Sequence, residues 1–189
     1  MTGQINVNKI AARTGNTITI NSGDKISGAA GSIVAPGQVV QVQTTATPLF
    51  TSATNTTLAD LLSINFTPKF SDSLLRVDVC LRYQENGTDI NLKYRVLNDS
   101  TNIYNVTNYS TYTGGSTNNI ETVTFHAFVS AGSTSARDIK FQAAKVSSGG
   151  TFYVNVNATN GTRMTVTEIA QCVRYLLISL RIHPAVILF

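Results

Sequence analysis

The sequence predicts an all-β protein: an antiparallel β-sandwich of jelly-roll type, preceded by a short-stranded, oligomeric fibrous segment. Three observations carry this. First, the 189 residues include 26 Thr, 17 Asn and 16 Ser, while charged residues make up only 13%; β-branched Thr favours strands, and Asn, Ser and Gly favour turns. Second, apolar residues alternate with a period of two in several segments. Third, those segments are spaced evenly, with turn signals between them and no strand–helix–strand unit.

The length fits one domain with extensions, divided as an N-terminal shaft or attachment segment (1–43), a sandwich head (44–170) and an apolar C-terminal tail (171–189). In residues 4–43 apolar residues come in bursts of two or three: Ile5 and Val7, Ile18 and Ile20, Ile33 and Val34, then Val39, Val40 and Val42. Turn chemistries such as Asn21-Ser22-Gly23-Asp24 and Pro36-Gly37 separate them. Bursts this short cannot build a core within one chain. Three copies around a common axis can, so the segment is expected to be a shaft stable only as an oligomer; the alternative is a disordered linker.

Residues 44–57 are polar apart from Leu49 and Phe50 and read as an edge strand or joint. Alternation then becomes regular. Leu75, Val77, Val79 and Leu81 share one face, and Arg76, Asp78, Cys80 and Arg82 the other. Asn86-Gly87 follows, and Ile90, Leu92, Tyr94 and Val96 resume the alternation, which predicts a β-hairpin. Further strands are expected at 122–129 (Val123, Phe125, Ala127, Val129), 138–145 (Ile139, Phe141, Ala143), 151–157 and 163–170. Residues 98–119, rich in Tyr, Asn, Ser and Thr, are a long excursion or a weak hairpin. In the tail, Val173, Leu176, Leu177 and Leu180 fall at helical spacing until Pro184 stops the pattern. Arg174, Arg181 and His183 interrupt it, so no membrane span is expected.

The net charge of +4 and pI near 9.2 arise from 14 Lys and Arg against 10 Asp and Glu, scattered singly. Nucleic-acid binding wants clustered cations with interleaved aromatics, and none is expected here. Cys80 and Cys172 lack CxxC spacing and His126 and His183 stand far apart, so no metal site or cofactor is expected. Spacing leaves a Cys80–Cys172 disulfide open. Nucleophile elbow, phosphate loop and zinc-helix motifs are missing, and carboxylates are few, so the chain is not expected to be an enzyme. The amino terminus lacks a signal-peptide pattern, so synthesis and assembly in the cytoplasm are expected.

Phe66-Thr67-Pro68-Lys69 with Ser71, Ser73 and Leu74-Leu75-Arg76-Val77 resembles the "ITPxSxxSKILV" block of the tail-fibre and virion-fibre proteins of tailed bacteriophages. Ala136 to Ala143 (ARDIKFQA) is similar to "xxYKVQAR", Gly149 to Asn155 (GGTFYVN) to "GGTLYINR", and Arg163 to Ala170 (RMTVTEIA) to "STITVMEIA". The linker Gly31-Ser32-Ile33-Val34 ahead of Pro36-Gly37-Gln38 also has its counterpart. The resemblance covers roughly residues 31–170 in order; residues 171–189 have no counterpart. It implies a compact trimeric jelly-roll knob in the virion, whose outer loops meet a host surface molecule.

The expected function is therefore a homotrimeric virion fibre protein that binds a host cell-surface glycan or protein. The alternative is a capsid decoration or cement protein. Receptor contact is expected from Tyr104, Asn108, Tyr109, Tyr112 and Asn118, because Tyr offers large amphipathic area at low entropic cost; the bland alternative is that some of these tyrosines cap the core. Docking to other virion proteins is expected from Ile5, Val7, Ile18, Ile20, Leu176, Leu177 and Leu180.

Overall fold

The fold comes from a computed structural model of the chain, which describes residues 35–47, 51–53, 56–86, 91–109, 119–146, 151–155 and 161–171. These form ten strands and, among the described residues, no helix: β1 (Val39–Thr47), β2 (Thr51–Ala53), β3 (Ala59–Phe66), β4 (Leu74–Asn86), β5 (Leu92–Asn98), β6 (Thr101–Tyr109), β7 (Asn119–Ser130), β8 (Arg137–Lys145), β9 (Thr151–Val154) and β10 (Thr162–Ile169).

Pairing is nested and antiparallel throughout. β1 pairs with β10, β2 with β9, β3 with β8, β4 with β7 and β5 with β6. The chain is thus one long antiparallel ribbon with its tip at the β5–β6 hairpin. The ribbon is rolled up, because β4 takes β10 and then β9 along its second edge, and β5 takes β8 along its own. The first sheet runs β1-β10-β4-β7, with β2 and β9 continuing β1 and β10; the second runs β3-β8-β5-β6. This is a jelly-roll sandwich.

The alternation read from the sequence sets the core. Leu75, Val77, Leu81 and Tyr83 of β4 are fully buried against Leu92 and Val96 of β5, Ile139 and Phe141 of β8 and Val166 of β10. Arg76, Asp78, Cys80 and Arg82 stand on the outer face, as the period requires.

The predicted hairpin across Asn86-Gly87 does not form. β4 and β5 lie in different sheets, and residues 87–90 fall outside the described set. Both edges of β4 are occupied, by β7 from Leu74↔Ser130 to Glu85↔Asn119 and by β10 and β9 on the other side. A two-residue turn preference is outweighed by a ladder of that length, and the strands bury their apolar faces against each other across the sandwich. Val39, Val40, Gln41, Val42 and Gln43, read from sequence as part of the N-terminal segment, are the first half of β1. The rest of the shaft reading and the C-terminal helix reading lie outside the described residues.

One buried carboxylate fixes an end of the sandwich. Glu168 on β10 is fully buried. Its Oε1 accepts from the Lys69 and Phe70 backbone N–H groups at 2.9 and 3.0 Å and from the Ser73 hydroxyl at 2.7 Å, and its Oε2 accepts from Gln41 Nε2 at 2.7 Å. Burial pushes its carboxyl up, but these donors to the charged form outweigh it and hold the pKa below the ordinary value of 4.5. Three of the four donors come from the β3–β4 connection and the fourth, Gln41, from β1, so the FTPKFSDS and EIA segments are physically clamped together.

The ends of the roll differ. Register places the chain's entry at Ala35, its exit at Gln171, residues 67–73, the Asp99-Ser100 turn and residues 131–136 at one end; Gly37 N donates to Ala170 O at 2.7 Å there, and Ala131 N to Ser73 O at 2.9 Å. β6 finishes at Tyr109 and β7 begins at Asn119 at the other end.

Candidate functional site

Of the predicted receptor residues, Tyr104 turns inward. Its ring stacks on Phe125 of the facing sheet with centroids 4.6 Å apart and planes 10° off parallel, and Tyr94 stacks on the same Phe125 at 5.0 Å. Phe141 closes the group at 5.8 Å from Phe125. Tyr104 is thus a half-buried wedge between the sheets, which is the core-capping alternative. Asn108 is exposed on β6. Tyr109 ends β6 opposite Leu92. Tyr112 and Asn118, and all seven predicted docking residues (Ile5, Val7, Ile18, Ile20, Leu176, Leu177, Leu180), lie outside the described residues.

The outer face of the first sheet carries a feature the sequence reading missed. Asp78 is opposite both His126 on β7 and Thr165 on β10, and Cys80 is opposite both Thr124 and Arg163. These residues and Arg76 line a cleft of about 310 Å³. Arg76 is held over its floor, with Nε and Nη2 donating to Asp78 Oδ1 at 2.9 and 2.7 Å. Cys80 is a free thiol whose Sγ lies 3.5 Å from Gly161 O. The outward alternation of Arg76, Asp78 and Cys80 was readable from sequence; that His126 and Arg163 join them depends on strand register, which it was not.

The same face has an apolar corner. Val39, Val42 and Phe128 are 52%, 54% and 50% exposed. Leu74 and Ile169 connect them, since Ile169 is opposite both Val39 and Leu74. The chain enters and leaves beside this corner.

No family model and no curated protein matches the chain. Similar solved structures include that of the infectious bursal disease virus Gt strain, with 13% identity over 79% of this chain and 43% of that one at a TM-score of 0.45. Dimeric latent PorU from Porphyromonas gingivalis shares 7% identity over 75% of this chain and 14% of that one at 0.48. T=1 particles derived from infectious bursal virus share 17% over 77% and 40% at 0.43. The chain spans less than half the length of each of these. With these TM-scores below 0.5, the jelly-roll assignment rests on the strand registers.

Proposed function

We propose that the chain is a virion structural protein, a homotrimer that joins the particle through the end where the described chain enters and leaves, and meets a host surface glycan or protein at the opposite end. The observation that carries this reading is the polarity of the roll. Entry, exit and the apolar corner gather at one end, while β6 finishes and β7 begins at the other, the two strands between which the sequence runs STYTGGSTN. Loops held on a rigid sandwich are where binding surfaces are commonly built. The resemblance to fibre proteins across the clamped FTPKFSDS and EIA segments supports the same reading.

The purified chain tests it. It is expected to compete with virions for adsorption to host cells, and a variant with Asn108→Ala, Tyr109→Ala and Tyr112→Ala to lose that competition while melting like the parent. Failure of the parent chain to compete overturns receptor binding. The apolar corner favours a second reading, a decoration protein clamping capsid subunits; electron microscopy of labelled particles separates the two, since decoration repeats over the capsid lattice.

A further inference from the structure

We propose that the cleft on the outer face of the first sheet is a second binding site, separate from the loop end, and that it takes a carboxylate-bearing sugar. The floor is small and hydrogen-bonding: Asp78, Cys80, Thr124 and Thr165. Arg76, His126 and Arg163 rise around it. Their charges are not equivalent. Arg76 is engaged by Asp78 at 2.7 Å. Arg163 is exposed and, among the described residues, pairs with no carboxylate. One guanidinium is therefore committed and positions the floor, while the other keeps its planar fork of donors for an incoming anion. A guanidinium binds a carboxylate through two parallel hydrogen bonds, which gives geometry as well as charge.

The rest of the cleft selects for more than an anion. Thr124 and the His126 imidazole offer donor and acceptor groups within the same space, suited to ring hydroxyls. Thr165 Oγ1 is 3.0 Å from Thr44 Oγ1, so that hydroxyl is already oriented. The His126 ring meets Phe128 edge to face at 5.4 Å, which extends an apolar shelf from the cleft for the C–H face of a sugar. The volume of about 310 Å³ lies at the small end of ligand clefts, the size of a saccharide unit and not of an extended chain. Two guanidinium groups disfavour a metal cation, and a lone free cation does not make a nucleic-acid track.

The full-length protein, titrated with glucuronic acid, glucose and N-acetyl-glutamate amide while the His126 and Arg163 side-chain resonances are followed by NMR, tests the site. Glucuronic acid is expected to saturate it with a dissociation constant of about 1 mM, and glucose and the glutamate derivative to bind roughly tenfold or more weakly. Arg163→Gln and, separately, Thr124→Asp should each weaken glucuronic acid roughly tenfold. Both positions are exposed, so the melting temperature should hold. In a Cys172→Ser background, saturating glucuronic acid should also slow the reaction of Cys80 with a neutral maleimide. Equal binding of glucose, binding of the glutamate derivative as tight as that of the sugar acid, full affinity in Arg163→Gln, or an unchanged Cys80 rate each overturns the proposal. None of these readouts involves host adsorption, so the result is independent of the loop-end reading.

Discussion

The Ser73 hydroxyl donates to the Glu168 carboxylate at 2.7 Å, with Ser73 1% and Glu168 0% exposed. The two residues are ninety-five positions apart, and their bond ties the β3–β4 connection to the closing strand of the roll. A buried charge survives only when its lone pairs are satisfied, and four donors satisfy this one. Glu168→Ala removes the acceptor for all four. The expected cost is about 3 kcal/mol, a fall in melting temperature of roughly 6–12 °C. Ser73→Ala alone should cost about 1–2 kcal/mol, and its effect should nearly vanish in the Glu168→Ala background; additive melts would show that the two residues act separately.

The same clamp gives an acid limb. The folded-state pKa of Glu168 is lowered from 4.5, so its contribution is complete above that value and is lost as pH falls through the lower folded value. Asp60 behaves alike: its carboxylate accepts from Gln142 Nε2 and faces Lys140 Nζ at 3.2 Å, and its pKa is lowered from 3.8, the Gln142 hydrogen bond being the largest cause. Melting temperature recorded from pH 7 down to pH 2 should be level at first and then drop below pH 4.5. Glu168→Gln should melt lower at pH 7 and lose part of that drop. An acid limb identical to the parent's would assign it to other groups.

Tyr104 and Asn108 lie four residues apart on β6 and should separate cleanly. Stacked on Phe125 with Tyr94 beside it, Tyr104 on truncation to alanine should cost about 2–3 kcal/mol. Asn108 is exposed, and its alanine variant should stay within about 0.5 kcal/mol of the parent. Thermal melts measure both, and lost host adsorption in Tyr104→Ala would then report instability first. A neutral Tyr104→Ala would show that the inter-sheet stack carries little energy.

At the junction of β9 and β10, Asn155 holds a left-handed backbone with φ of 65°. Its Oδ1 accepts from Thr162 N, and its own N–H donates to Arg82 O at 2.9 Å. Asn tolerates this conformation better than most residues. Asn155→Gly keeps the backbone and loses the acceptor, and should cost about 1 kcal/mol; Asn155→Ala adds backbone strain and should cost about 2–3 kcal/mol. Chemical denaturation of the pair measures the difference, and equal values would mean that the conformation is unstrained.

How much of this was legible in the sequence differs by level. Period-two alternation places Leu75, Val77, Val79 and Leu81 inside and Arg76, Asp78 and Cys80 outside, because side-chain direction in a strand is a local property. Which strand lies beside which is not local. Asn86-Gly87 reads as a hairpin turn, yet β4 pairs with β7 from Leu74↔Ser130 to Glu85↔Asn119, distant in sequence, and that ladder decides. For the same reason the Arg163, His126 and Asp78 cleft and the Glu168 clamp could not be read in advance: each joins residues from strands whose adjacency only the rolled ribbon creates. Tyr104 could be read either as a surface contact or as a cap on the core, because its neighbours in sequence are polar; its place opposite Val96, which the sequence does not show, turns it inward.

The apolar corner bears on assembly. Val42 and Phe128 are more than half and half exposed on one face, on the two opposite edge strands of the first sheet. Single exposed apolar side chains are ordinary, but Val39, Ile169 and Leu74 fall in the next row and join them into a patch. Replacing Val42 with Asp and Phe128 with Ser places charge and polarity at both ends of it. Because both side chains face outward, the isolated fold should change by no more than about 1 kcal/mol. If copies of the chain associate through this face, sedimentation should show the parent as a trimer and the double variant shifted toward monomer. A double variant that sediments with the parent would remove this face from any assembly of the chain.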